Sequence, residues 1–237
     1  MKIEFDETDT QCDRYRSLTM AKIGKIARRC CNCSRDIEMH TSSVVSKDEF
    51  FKVLESNTKE ASLMLSTHGP LYLGGFESAM NLKELKKNRV TMVVNTAGKT
   101  LLEHFPKLNA RISQYPEHGI RLLLLNWIDN PGFTLSWEEV SSAMHAIHAT
   151  IQGGDGVLVH CAQGKSRSSS LVIAYFMNTE KLGFDSALVL VKACRAMAEP
   201  NTGFEATIRG WTDRIHALDL DRDFVNIPMH HGINDSH

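Results

Sequence analysis

Long apolar runs are missing from this sequence: no window holds the roughly 18 uninterrupted apolar residues that a membrane-spanning helix needs. Net charge is nearly absent too, at −1 over 237 residues, which excludes a surface built overall to coat nucleic acid and leaves only local basic patches. Cysteine is scarce. The six present (Cys12, Cys30, Cys31, Cys33, Cys161 and Cys194) are too unevenly spaced for the disulfide framework of a secreted protein. Glycine and proline show no excess, which excludes a low-complexity chain. The opening MKIEFDETDT lacks the basic-then-apolar order of a secretory signal and the glycine at position 2 needed for myristoylation. A reducing, intracellular home, cytoplasmic or nuclear, is expected.

What is present divides in two. Residues 1–65 are mostly polar and hold four of the six cysteines. They read as an N-terminal extension, partly helical or disordered. Between Arg14 and Arg29 lie six basic residues and no acidic one. Residues 15–29 suit either a solvated helix face or a basic amphipathic helix on an anionic membrane or a partner, although Gly24 weakens the helix. Cys30 and Cys33 have CxxC spacing, but Cys12 and His40 would be makeshift partners for zinc, and no metal is expected.

From about Pro70 strand and helix signals alternate. LYLGGF (71–76) reads as an edge strand, residues 77–88 as a helix, and 89–97 and 119–127 as buried strands. Residues 135–154 read as a helix, with Ser136 and Glu139 forming a capping box. GVLVH (156–160) is the next buried strand, followed by a loop and a helix from SRSSSLVIAYFMNTE; two more helices fit 184–199 and 203–218. The pattern implies an α/β domain over 66–218, with a single mostly parallel central sheet flanked by helices and a ligand site at the strands' C-terminal ends. Residues 219–237 are left as a tail.

The loop HCAQGKSRS (160–168) stands between strand and helix. A helix N-terminus offers unpaired N–H groups and a positive dipole end to an anion, and a glycine lets successive amides converge on it. Arg167 adds a planar fork suited to phosphate oxygens. The same field acts on Cys161, whose thiol pKa of about 8.5 falls to roughly 3.5–7.5 in such surroundings. A lone cysteine at a strand end is ordinarily structural, and a glycine loop can also serve a nucleotide. The Walker pattern fails here, however, because Val159 stands where its first glycine is required. Taken together, Cys161, Gly164, Arg167 and Ser168 favour a nucleophile at the base of a phosphate site.

HCAQGKSRS is similar to the HCxxGxxR[ST] loop of cysteine-dependent protein tyrosine phosphatases, and AYFM (174–177) resembles the AY[LI]M stretch of their dual-specificity subfamily. The similarity runs from Leu71 to about Leu218. It implies a protein tyrosine phosphatase-like fold that hydrolyses phosphotyrosine and phosphoserine or phosphothreonine in proteins, without metal or cofactor, through a phosphocysteine. It assigns the nucleophile to Cys161 and phosphate binding to Ala162, Gln163, Gly164, Lys165, Ser166 and Arg167. His160 would help fix the thiolate, and Ser168 would offer its hydroxyl to the sulfur. MAEPNTGF (197–204) resembles the family's turn before its last helix.

Such a mechanism needs a carboxylic acid on a neighbouring loop at the same edge of the sheet. NWIDNPGF (126–133) contains one, Asp129, placed 32 residues before Cys161 as in the family; the alternative is that it caps the DNPG turn. Glu138 and Glu139 suit a helix's first turn, and Asp155 lies at the wrong end of the sheet. Lys165 either points to solvent or raises the positive potential of the loop. The latter, with residues 14–29, keeps open a phosphoinositide or other non-protein phosphatase. A phosphate-binding module with weak catalysis is the third reading. Cys194 reads as core.

Overall fold

The computed structural model describes residues 60–66 and 68–221, with three short strands upstream. Those strands, β1 (Ile3–Phe5), β2 (Ser17–Leu18) and β3 (Ser43–Val44), pair antiparallel in the order β2-β1-β3. Ser17 and Leu18 are thus strand residues where the sequence suggests a helix over 15–29. The remainder of that stretch, the cluster Cys30, Cys31 and Cys33, and the tail beyond residue 221 lie outside the described residues.

The second sheet positions the site. Its strands β4 (Ser62–Leu63), β5 (Leu71–Gly74), β6 (Val90–Asn95), β7 (Arg121–Leu124) and β8 (Gly156–His160) run in the order β4-β5-β8-β6-β7. All pairs are parallel except β4 with β5. The predicted edge position of β5 is therefore wrong: β4, ahead of residue 66, adds an antiparallel strand outside it, so β5 lies inside the sheet. β6 and β8 are apolar on both faces because helices cover both. Val157 and Val159 pack with helices on one side, while Leu158 and Cys161 pack on the other.

Helices α1 (Phe76–Met80), α2 (Leu82–Lys87), α3 (Gly98–His104) and α4 (Pro106–Ile112) pack on the Leu158 face. The single helix predicted over 77–88 breaks at Asn81, which ends α1 and caps α2 by accepting from Glu84 N. α3 and α4 have no counterpart in the sequence reading. On the opposite face lie α5 (Trp137–Gln152), α6 (Arg167–Thr179), α7 (Phe184–Cys194), α8 (Thr202–Gly210) and α9 (Thr212–Ala217). α7 stops at Cys194, short of its predicted end at 199, and Trp211 separates α8 from α9 where one helix was expected.

Strand register decides what meets at the site. Gly74 is level with His160, His160 with Asn95, and Asn95 with Leu124. The segments leaving these positions are Gly75 and α1, the HCAQGKSRS loop, Thr96, and the Asp129 loop. All emerge from the sheet's carboxyl edge, where α/β folds place their ligands.

Candidate active site

The backbone of residues 161–166 has two sides. Its carbonyls are held from outside: Ala162 O accepts from Phe76 N at 3.1 Å, Gln163 O from Arg195 Nη2 at 2.8 Å and Gly164 O from Arg195 Nε at 2.8 Å. Lys165 O accepts from Glu199 N at 2.7 Å and from Ser169 Oγ. With C=O outward, each trans peptide turns its N–H inward. Gly164 takes φ +69°, a left-handed conformation that a side chain would strain, and a Cβ there would lie 2.5 Å from Gly74 O. This sharp turn closes the ring of amides around Cys161.

Cys161 is 1% exposed. Its Sγ accepts from Gly164 N at 3.2 Å and from Ser168 Oγ at 3.3 Å. Burial pushes the thiol up, but the hydroxyl and amide of Ser168, the Arg167 charge and the Lys165 amide together hold it below its ordinary value. Ser166 occupies the N-cap position of α6, yet its side chain makes no cap hydrogen bond, so it leaves the helix's first amides to the anion site. His160 is fully buried and donates from Nδ1 to Cys161 O at 3.2 Å. Burial, reinforced by Arg167, draws its pKa down to about 4 against that hydrogen bond, so the imidazole is neutral at pH 7. Thr96, buried on the neighbouring strand's exit, donates to His160 O through its amide at 2.9 Å and its hydroxyl at 3.0 Å.

The structure brings Asp129 to this loop. Its Oδ1 accepts from Ser166 Oγ at 2.7 Å and Asn201 Nδ2 at 3.0 Å, and Oδ2 lies 3.5 Å from Arg167 Nε. Arg167 also donates from Nη1 to Trp127 O at 3.4 Å. The acid loop is footed on Trp127, whose indole donates to Glu139 Oε2 at 3.0 Å and meets Phe204 edge-on. Glu139 thus completes only half of the predicted capping box: Ser136 Oγ accepts from its amide, but its carboxylate serves Trp127. A Cβ at Gly203 would overlap the carbonyl of Pro131, so glycine permits α8 to pack against the acid loop. Asp155, at the opposite end of β8, accepts from Thr91.

Lys165 turns away to Glu199, Nζ to Oε2 at 2.7 Å, with 46% of its side chain exposed. The hydrogen bond and charge of Glu199 raise its pKa, so the ammonium is matched by a carboxylate. Arg195, Asn201 and Thr96 were missed in the sequence. PNTGF has the composition of a turn, and the signal that could have found Arg195 is an arginine set in the apolar helical stretch VKACRAM, where a charge implies a buried partner. Among the described residues no group of His, Cys, Asp and Glu could hold a metal.

Residues 71–214 match the family model for the dual specificity phosphatase catalytic domain, over half of the chain. The chain belongs to the dual specificity phosphatase family. The chain is 33% identical over 141 residues to human dual specificity protein phosphatase 22, covering 59% of this chain and 68% of that protein. It is 31% identical over 147 residues to mouse dual specificity protein phosphatase 15, covering 60% of this chain and 56% of the relative. A crystal structure of DUSP15 superposes with a TM-score of 0.53 at 27% identity, covering 65% of this chain and 92% of that one. The human DUSP28 structure gives 0.53 at 25%, covering 65% and 95%. The chain is accordingly a dual specificity protein phosphatase, of a family that hydrolyses phosphate esters of tyrosine and of serine or threonine through a phosphocysteine.

Proposed function

We propose that this enzyme acts on intracellular phosphoproteins, in the cytoplasm or nucleus, with Cys161 as nucleophile and Asp129 as acid and then base. The ring of inward amides around a depressed Cys161 thiol carries the reading. The thiolate attacks phosphorus while the amides of residues 162–167 and the Arg167 guanidinium receive the equatorial oxygens. Asp129 Oδ1 already accepts two hydrogen bonds; once the Arg167 guanidinium, 3.5 Å from Oδ2 in the free enzyme, turns to the phosphoryl oxygens, Oδ2 is left to carry the proton that passes to the departing oxygen. In the second step Asp129 takes a proton from water as it attacks phosphorus, and the Ser168 hydroxyl supports the leaving sulfur. His160 stays neutral and holds the Cys161 carbonyl.

We place the catalytic domain from at or before Glu60 to about Leu218, with residues upstream as an extension of separate role. Glu60 and Ser62 contacting Arg195 support that start. The pairing of Lys165 with Glu199 weighs against a highly charged lipid headgroup as the natural substrate. Among the described residues no helix is long and apolar enough to cross a membrane.

Turnover of an aryl phosphate in EDTA, with Cys161→Ser and Asp129→Ala compared, tests the mechanism. Loss of turnover in Cys161→Ser is expected, and retained turnover overturns it. Side-by-side assays on phosphopeptides and phosphoinositides test the substrate, and preference for the lipids overturns the protein reading.

A further inference from the structure

Among the described residues, Arg195 is the one arginine counted with the largest fully buried side chains, at 1% exposure. Two arms of its guanidinium go to the loop, Nε to Gly164 O and Nη2 to Gln163 O, each at 2.8 Å. The third, Nη1, reaches back to Glu60 O at 3.2 Å and Ser62 Oγ at 3.5 Å, anchoring the fork on β4. Burial brings its pKa down to about 10, partly offset by Cys161, which leaves it a cation at neutral pH.

The peptide planes give this contact a chemical meaning. The unit whose carbonyl is Gln163 O carries the amide of Gly164, which donates to Cys161 Sγ at 3.2 Å. The unit whose carbonyl is Gly164 O carries the amide of Lys165, which also favours the thiolate. Each of these two peptide dipoles therefore runs from the guanidinium at its oxygen end to the sulfur at its hydrogen end. A cation fixed behind the carbonyls orients both planes and polarises both N–H groups toward the anion in front.

We propose that Arg195 is a positioning residue of the reaction, a buried cation that aims and strengthens the Gly164 and Lys165 amides toward the thiolate and the transferring phosphoryl group. The inference rests on Cys161 as nucleophile. It is distinct from the role of Arg167, which stands on the opposite side of the loop against Asp129 and Trp127. Lysine in this place would keep the charge but lose the fork that spans two carbonyls.

The test is the pH dependence of Cys161 alkylation by iodoacetamide in the full chain, read by mass spectrometry of the Cys161 peptide, with vanadate binding alongside. In Arg195→Met the alkylation limb moves up by about one pH unit, so that below the wild-type limb the rate falls about tenfold. Vanadate binding weakens by about the same factor. Arg195→Lys shifts both readouts in the same direction by less. Melting temperature is recorded in each case, because a residue with a purely structural role lowers it without moving the limb. An unmoved limb in either folded variant overturns the proposal, and so does failure of both variants to fold, since Arg195 is then a structural strut. A wild-type limb near the ordinary thiol value would instead sink the assignment of Cys161, an outcome separate from these.

Discussion

Asn201 divides its amide between Asp129 and Phe204: Nδ2 donates to the carboxylate Oδ1 at 3.0 Å, while its own Oδ1 accepts from Phe204 N at 3.0 Å. The side chain that starts α8 thus also holds the acid loop. Ser166 Oγ, at the start of α6, donates to the same carboxylate oxygen and accepts from Asn201 N. Asp129 owes its position to two helix starts as much as to its own turn.

Replacing Asn201 separates the two duties. Asn201→Asp keeps a good N-cap but removes the donor and sets a second carboxylate beside Asp129. Stability should change little while kcat on an aryl phosphate falls about 10- to 100-fold, the cost of misplacing a catalytic group. Asn201→Ala should show a similar loss of kcat and also lose about 1 kcal/mol of stability with the cap. Equal kcat in wild type and Asn201→Asp, measured at saturating substrate, would remove this duty from the residue.

The hydrogen bond from Ser168 Oγ lowers the Cys161 pKa. Without it thiolate forms at higher pH. In Ser168→Ala the acidic limb of kcat/KM should therefore move upward, with loss of rate confined to pH below the limb. Hydrolysis of the intermediate should slow as well, because the sulfur leaves without its donor, and a burst of leaving group should precede a slower steady state. A pH–rate profile and a stopped-flow trace check the two effects separately.

His160 imposes a pH dependence on stability. Burial holds its folded pKa at about 4, below the ordinary 6.5. Above pH 6.5 both folded and unfolded chains carry a neutral imidazole. As pH falls through the interval the unfolded chain takes up a proton that the folded protein refuses, so stability declines, by about 3 kcal/mol at pH 4 from this group. Urea midpoints at pH 7 and pH 4.5 should differ less in His160→Asn than in wild type. Parallel losses in both proteins would show that other groups govern the acid limb.

Lys165 is the loop residue whose replacement should matter least. Its ammonium sits on Glu199 at the surface rather than in the ring of amides. Lys165→Met should leave kcat/KM on phosphopeptides within about threefold, the small effect usual for an exposed pair. A larger loss on phosphoinositides than on peptides would mean that the pair opens to receive substrate.

The site and the sheet were legible in different degrees. β8 and the loop after it could be read because the apolar run VLV (157–159), a glycine and an arginine at fixed spacing are local signals, and β8 spans Gly156–His160 as read. β4 was illegible: two residues long, it becomes a strand only by pairing with β5. α3 and α4 lie in a stretch without a clear apolar period, and Asn81 interrupts a helix whose periodicity runs straight through it. Asp129 is legible as the one acid in the loop after an apolar strand, at the family's distance from Cys161. Its holder, Asn201, lies 72 residues away in the MAEPNTGF turn, where the local pattern marks a turn but not a contact with the acid.

A loop braced from behind, its carbonyls taken by Phe76, Arg195 and Glu199 before any ligand arrives, has a consequence for selectivity. The pocket answers to a tetrahedral dianion and not to the group that bears it, so free phosphate released by one turnover competes with the next substrate on equal geometric terms. Discrimination among phosphorylated side chains is consequently left to the rim, where Ile128 beside Asp129 is 62% exposed. Preference is thereby a property of exposed side chains rather than of the loop that holds the phosphate.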